Sequence, residues 1–304
     1  MSNKNLSILF TGQGSQYSEM GLDLFNEFEW VRERYQLSSE ILGYDVLKAQ
    51  NNPDLINLTQ YSQPLIFILS SILSDIYRKS LKNHDSNKIV LAGHSLGEYV
   101  AMYFSQALDF EEMLKVVRSR GEAMSIVSNP DKYSMYAILK KDEDLINTEI
   151  FGNGVYIANL NSEKQIVICG LKQKLEEFKL KNNFGKYIPL NVSAPFHSEL
   201  MIESSNIFKK KVSGINFIKV KHDLISNHKL VNYKQLSISE YINQLSLQIH
   251  SPVMWHDTMK NILKNNIETF VEIGPKKTLL NFIPKDFNGE KISINNLEDL
   301  RKYV

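Results

Sequence analysis

A chain of 304 residues, 43% hydrophobic and 23% charged, can bury a large core as one domain or two unequal ones, which excludes a disulfide miniprotein and a mainly disordered chain. Lys and Arg number 35 against 34 Asp and Glu, a net charge of +1, so no overall field draws the chain to nucleic acid or to an anionic membrane. The single cysteine, Cys169, excludes an internal disulfide and a cysteine-based metal cage; with a start too polar for a signal peptide, the expected compartment is the reducing cytoplasm.

In chain order, a buried strand is predicted at 7–10, followed by the glycine turn Thr11-Gly12-Gln13-Gly14-Ser15 and a helical stretch over 21–47. A second helix is predicted at 63–81, opened by Pro64 in its first turn; its apolar run 64–69 is too short to span a bilayer. Residues 88–92 read as a fully buried parallel strand, followed by Gly93, a helix at 97–106 and another at 109–128. From 131 to 192 the pattern changes to a strand at 135–139, a helix at 142–149, strands at 155–159 and 165–169, a helix at 172–182 and a strand at 187–192. This β-α-β-β-α-β order is ferredoxin-like and reads as an insertion. A helix up to about 212, a strand at 220–226, helices at 237–247 and 253–265, a buried strand at 269–273, a short strand at 292–294 and a surface tail at 296–304 complete the chain. The predicted fold is therefore α/β: an α/β-hydrolase-like catalytic domain with a parallel sheet, 1–128 and 193–304, carrying a small ferredoxin-like domain, 129–192.

Gly93-His94-Ser95-Leu96-Gly97 fits the G-x-S-x-G pattern and lies between a strand and a helix, the setting of a nucleophile elbow. Glycines permit the sharp turn, the hydroxyl projects above the sheet, and the helix N-terminus favours negative charge beside it. Serine needs a base within hydrogen-bond reach. Of seven histidines, His197 is the best candidate, because it lies where the chain re-enters the large domain and a cleft would form. His94 adjoins the serine and is expected to line the site. His84, His222 and His228 lie in polar segments and are expected to be solvated. No carboxylate between Ser95 and His197 stands at an obvious strand end, so the histidine could be oriented by a backbone carbonyl instead of an acid.

Eight separated blocks occur in a family's order: Phe10-Thr11-Gly12-Gln13-Gly14-Ser15-Gln16, Gln63-Pro64, Gly93-His94-Ser95-Leu96-Gly97-Glu98, Arg120-Gly121 with Met124, Ala158-Asn159 with Asn161-Ser162, Ser193-Ala194-Pro195-Phe196-His197-Ser198, Gln248 with Pro252-Val253 and Trp255, and Glu272-Ile273-Gly274-Pro275. With these the sequence resembles the malonyl-CoA:acyl carrier protein transacylases and the acyltransferases of polyketide synthases, free-standing trans-acting forms included. The resemblance implies that Ser95 forms an acyl ester and that His197 is the base, with Gln248 lending its backbone carbonyl to orient that histidine. It implies an oxyanion hole from the Gln13 and Leu96 amides, a carboxylate clamp at Arg120, and an acyl contact from His94. Phe196 stands where a bulky ring excludes an α-methyl group, which implies malonyl. Arg118 is expected to point elsewhere and stay structural.

The implied activity moves malonyl from malonyl-CoA through a seryl ester to the phosphopantetheine thiol of an acyl carrier protein, in fatty acid or polyketide synthesis. No bound cofactor or metal is expected, and the chain is expected to act as a monomer. An acyl-thioester hydrolase editing carrier-bound chains is the alternative enzyme on this scaffold, and a non-catalytic docking subunit the alternative outside catalysis. The sequence departs from the family at Thr11 in place of proline, Ser125 in place of glutamine, and Tyr133-Ser134-Met135 in place of Gly-Ala-Met.

Overall fold

The computed structural model describes residues 4–81, 88–141, 151–192 and 194–304. Strand β1 (Asn5–Phe10) is followed by three short helices, α1 (Leu22–Glu27), α2 (Glu29–Leu42) and α3 (Val46–Gln50), and by the long helix α4 (Thr59–Leu81). The expected single stretch over 21–47 is split because Phe28 adopts an extended conformation between α1 and α2, while Gly43, at φ 76°, closes α2 in the left-handed region. Helix α4 starts four residues before its predicted position. The Tyr61 and Ser62 amides already bond to the Leu58 carbonyl, so the helix is nucleated ahead of Pro64, which sits inside it.

Strand β2 (Lys88–Gly93) then leads into α5 (Gly97–Phe104) and α6 (Phe110–Ser125), the latter capped by the Asp109 carboxylate on the Glu112 amide. The next segment holds β3 (Tyr133–Lys140), β4 (Val155–Ser162), β5 (Gln165–Leu171), α7 (Lys172–Lys181) and β6 (Gly185–Pro189). The rest of the chain supplies α8 (Ile202–Lys211), β7 (Asp223–Ile225), α9 (Ile238–Ile249), α10 (Trp255–Leu263), β8 (Thr269–Ile273), β9 (Glu290–Ile294) and α11 (Leu297–Tyr303).

Two sheets result. The first is parallel throughout, in the order β7-β2-β1-β8-β9, with β1 at its centre and helices covering both faces. Burial on both sides is why every residue of β8 and the last four of β1 are buried, the polar Ser7 and Glu272 included, rather than alternating in and out. The second sheet is antiparallel, in the order β4-β5-β3-β6, which is the ferredoxin-like order. The helix expected at 142–149 falls outside the described residues. One face of this sheet sends Met135, Ala137, Ala158, Val167 and Cys169 into the main core, while the other packs Tyr136, Ile138, Ile166 and Ile168 against Leu175 and Phe178 of α7. Main-chain bonds from Val253 N to Ala158 O (2.8 Å) and from Leu160 N to Val253 O (2.9 Å) join it to the segment before α10.

The stretch 296–304 lies at the surface as expected, but as a helix: Asn296 caps α11 through the Asp299 amide, and Leu300 alone is buried. The last predicted strand of the small sheet also ends earlier than expected, at Pro189. Among the described residues no helix is long and apolar enough to cross a membrane.

The C-terminal ends of β1 and β2 finish level, with Phe10 opposite Gly93, and a ligand crevice is expected beyond such an edge. Helix α5 starts so close to this edge that a Cβ on Gly97 would stand 2.0 Å from the Phe10 carbonyl oxygen. Gly97→Ala must therefore push the helix off the strand. It should lower stability by about 1–3 kcal/mol or more in urea unfolding, whereas Gly214→Ala, with open space around its added carbon, should change little.

Candidate active site

Ser95 occupies the turn between β2 and α5 with φ 52°, a left-handed conformation that costs a non-glycine residue energy and aims its side chain off the sheet. Asn227 holds the turn in place. Its Oδ1 accepts from the Ser95 amide (2.6 Å) and its Nδ2 donates to the Gly93 carbonyl (2.6 Å). The Asn227 amide in turn donates to Glu98 Oε2 (3.0 Å).

His197 comes from the loop before α8, also at a positive φ of 61°, and its Nε2 lies 2.8 Å from Ser95 Oγ. Its Nδ1 lies 2.9 Å from the main-chain carbonyl of Gln248 on α9. A carbonyl can only accept, so Nδ1 carries the proton and Nε2 is left as the acceptor for the serine hydroxyl. Burial, reinforced by the Arg120 charge, depresses the His197 pKa to about 3, so the ring is neutral at physiological pH. The position of the acid in a three-member relay is taken by this carbonyl.

Arg120, on α6, is 1% exposed. Nη2 donates to Ser95 Oγ (3.0 Å) and to Gln248 Oε1 (2.9 Å), Nη1 donates to Gln63 Oε1 (2.6 Å), and Nε is buried without a partner among the described residues. The guanidinium also lies 5.0 Å from the centre of the Tyr99 ring. Among the described residues no carboxylate forms an ion pair with it. Ser95, His197, Gln248 and Arg120, spread over 154 positions of sequence, thus form one hydrogen-bonded cluster.

Beside this cluster lies a cavity of about 400 Å³ whose lining includes Gln13, His94, Ser95, Met124, Phe196 and His197. His94 Nε2 is 2.9 Å from Asn161 Oδ1, and its ring packs 5.3 Å from Trp255. The Gln13 and Leu96 amides make no hydrogen bond among the described residues, which leaves both free for an incoming oxygen. Among the described residues no three metal-ligating side chains converge.

Other residues are placed differently from the sequence reading. His222 is half-buried, its ring Nδ1 3.3 Å from Ser105 Oγ, and both ring nitrogens of His228 are buried without partners among the described residues, so neither ring is fully solvated. His84 lies outside the described residues. Ser125 turns its hydroxyl to the Glu122 carbonyl (2.8 Å), whereas Arg118 is where the sequence reading puts it, pointing away to Glu122 (2.8 Å) and the Ile41 carbonyl (2.7 Å). Sequence reasoning assigned no role to Asn227, Glu98 or Asn161. Glu98 could have been found: it is the sole charged residue of α5, a helix whose every residue is buried.

A parallel α/β sheet whose strand-to-helix turn carries a serine, with an imidazole on the hydroxyl, is the architecture of serine-dependent acyl-transfer enzymes. The sequence matches the acyl transferase domain over residues 8–297, and the chain belongs to that family. It is 33% identical over 285 residues to the polyketide biosynthesis malonyl CoA-acyl carrier protein transacylase of Bacillus subtilis (strain 168), covering 91% of this chain and 96% of that protein. The crystal structure of Synechocystis sp. PCC 6803 malonyl-CoA:ACP transacylase matches with a TM-score of 0.87 at 30% identity, over 98% of this chain and 99% of that one. A malonyl-transacylase in complex with its type II PKS acyl-carrier protein matches with a TM-score of 0.86 at 26% identity, over 98% of both chains. The family expected from the eight motif blocks is the one found.

The depressed His197 pKa has a measurable consequence. Acylation should be nearly flat from about pH 7.5 to about pH 5, where a base titrating near 6.5 would have lost roughly 30-fold; stopped-flow acylation across this range is the measurement. The unfolded imidazole binds its proton near 6.5 and the folded one only near 3, so this group's contribution to stability falls as pH drops through that window.

Proposed function

We propose that the protein is a malonyl-CoA:acyl carrier protein transacylase. The observation that carries this reading is Arg120: a buried guanidinium 3.0 Å from the nucleophile, with neutral acceptors around it and an unpaired Nε, fits a substrate that brings its own carboxylate. Malonyl has that group and acetyl lacks it. The relatives named above as malonyl transacylases support the same substrate.

In the first half-reaction Ser95 Oγ attacks the thioester carbonyl while His197 Nε2 takes the hydroxyl proton. The tetrahedral oxyanion accepts from the Gln13 and Leu96 amides, the carbon–sulfur bond breaks, and the leaving coenzyme A sulfur takes the proton from His197. In the second, the phosphopantetheine thiol of the carrier gives its proton to His197 and attacks the malonyl ester. Collapse returns the proton to Ser95 Oγ and releases the malonyl thioester. The Gln248 carbonyl keeps Nδ1–H oriented as the ring becomes transiently cationic, His94 contacts the acyl group, and Phe196 leaves no room for an α-methyl. We divide the chain into a catalytic domain, 1–128 and 193–304, and a small domain, 129–192, and place the reaction in the cytoplasm, which suits the single buried Cys169.

Incubation with malonyl-CoA should produce an adduct of malonyl mass on intact protein that passes to holo-carrier; rapid release of free malonate without carrier transfer would instead indicate a hydrolase. Arg120→Ala should cut malonyl transfer by about 100-fold while sparing acetyl transfer, measured as the ratio of kcat/KM values; equal losses would make Arg120 structural. His197→Ala should lower the acylation rate by about two to four orders of magnitude.

A further inference from the structure

Glu98 is fully buried and takes no part in the steps above. Its Oε1 accepts from the Tyr233 hydroxyl, and its Oε2 accepts from Gln248 Nε2 (2.9 Å) and the Asn227 amide (3.0 Å). Gln248 Nε2 also donates to the Ser95 carbonyl (2.9 Å), which can only accept, and this fixes the Gln248 amide with its nitrogen toward Glu98 and its Oε1 toward Arg120, where it receives Nη2 at 2.9 Å; burial pushes the Glu98 pKa up, while its three donors and the Arg120 charge favour the ionised form. One side-chain amide therefore stands between a buried anion and a buried cation. An isolated charge in a protein interior is expensive, and Arg120 has no anion in contact among the described residues.

We propose that Glu98 is a positioning residue, the remote counter-ion of Arg120, acting across the Gln248 amide so that the guanidinium stays charged while it is held only by neutral acceptors, which the substrate's free carboxylate can displace, and Nε is left without one. A carboxylate touching Arg120 would neutralise it equally well but would occupy the seat. Set one residue back, the anion balances the buried charge without itself sitting on the guanidinium, whose contacts are neutral. This rests on the reading of Arg120 as the seat of the malonyl carboxylate.

The test is a stability cycle combined with acylation. Glu98→Gln keeps the size and can serve the same neighbours but removes the charge, stranding the cation. It should melt roughly 5 °C or more below wild type. Combining it with Arg120→Met removes both charges, and the double variant should melt above the Glu98→Gln single. In the Glu98→Gln protein, malonyl on Ser95 brings a replacement anion, so the malonylated form should gain more thermal stability over the acetylated form than wild type does. Strictly additive losses in the double variant, or equal gains from the two acyl groups, would overturn the role. If Glu98→Gln alone does not accumulate in folded form, recovery of folded protein by adding Arg120→Met supports the role, and a double variant no better than the single overturns it. A wild type that takes up no malonyl would sink the transacylase reading, and the stability cycle would then judge Glu98 by itself.

Discussion

The guanidinium of Arg120 is held out of water against the side chains of Gln63, Gln248 and Ser95, none of them charged, and its Nε has no acceptor. Several other features of the site follow from this one charge. It helps burial keep His197 unprotonated, so the ring is ready to accept the serine proton. The ring beside it is oriented by the neutral main-chain carbonyl of Gln248, not by a carboxylate. The guanidinium charge also demands compensation from further away, which Glu98 is placed to give.

The frame that permits this is the C-terminal edge of the parallel sheet. Two residues there, Ser95 and His197, hold left-handed backbone angles that a side chain normally avoids. The strain persists because each turn is tied from outside: Asn227 bonds to both sides of the serine turn, and the His197 amide donates to the Ile249 carbonyl (3.2 Å). These ties come from the loop after β7 and from the end of α9, elements remote in sequence from the groups they hold.

Much of this was legible in the chain itself. The apolar run 89–92 of β2 and the largely apolar β1 and β8 announced buried parallel strands, and the glycines at 93 and 97 marked the elbow, because their spacing reflects contacts no side chain would fit. What stayed hidden depends on three-dimensional partners. Asn227 belongs to no motif, since one amide side chain in a loop looks like any other until its two partners are seen. Glu98 is marked out as the sole charged residue of α5, but its partners Tyr233, Asn227 and Gln248 are seen only in the fold. His222 and His228 have charged sequence neighbours that suggested exposure, although the neighbours turn outward and the rings do not. Helix α11 has too few apolar positions to declare itself, and only the packing of Leu300 gives it away.

The hydroxyl at 95 and the ring at 197 are separated by the whole antiparallel sheet, and the carbonyl of 248 and the side chain of 227 lie further on still. Strand β1 likewise finds its second neighbour only with the arrival of β8. A growing polypeptide leaving the ribosome therefore carries its nucleophile for more than a hundred residues before anything can activate it. Reactivity is deferred until residues 197, 227 and 248 have all joined the fold, so a chain cut short before them has no assembled site.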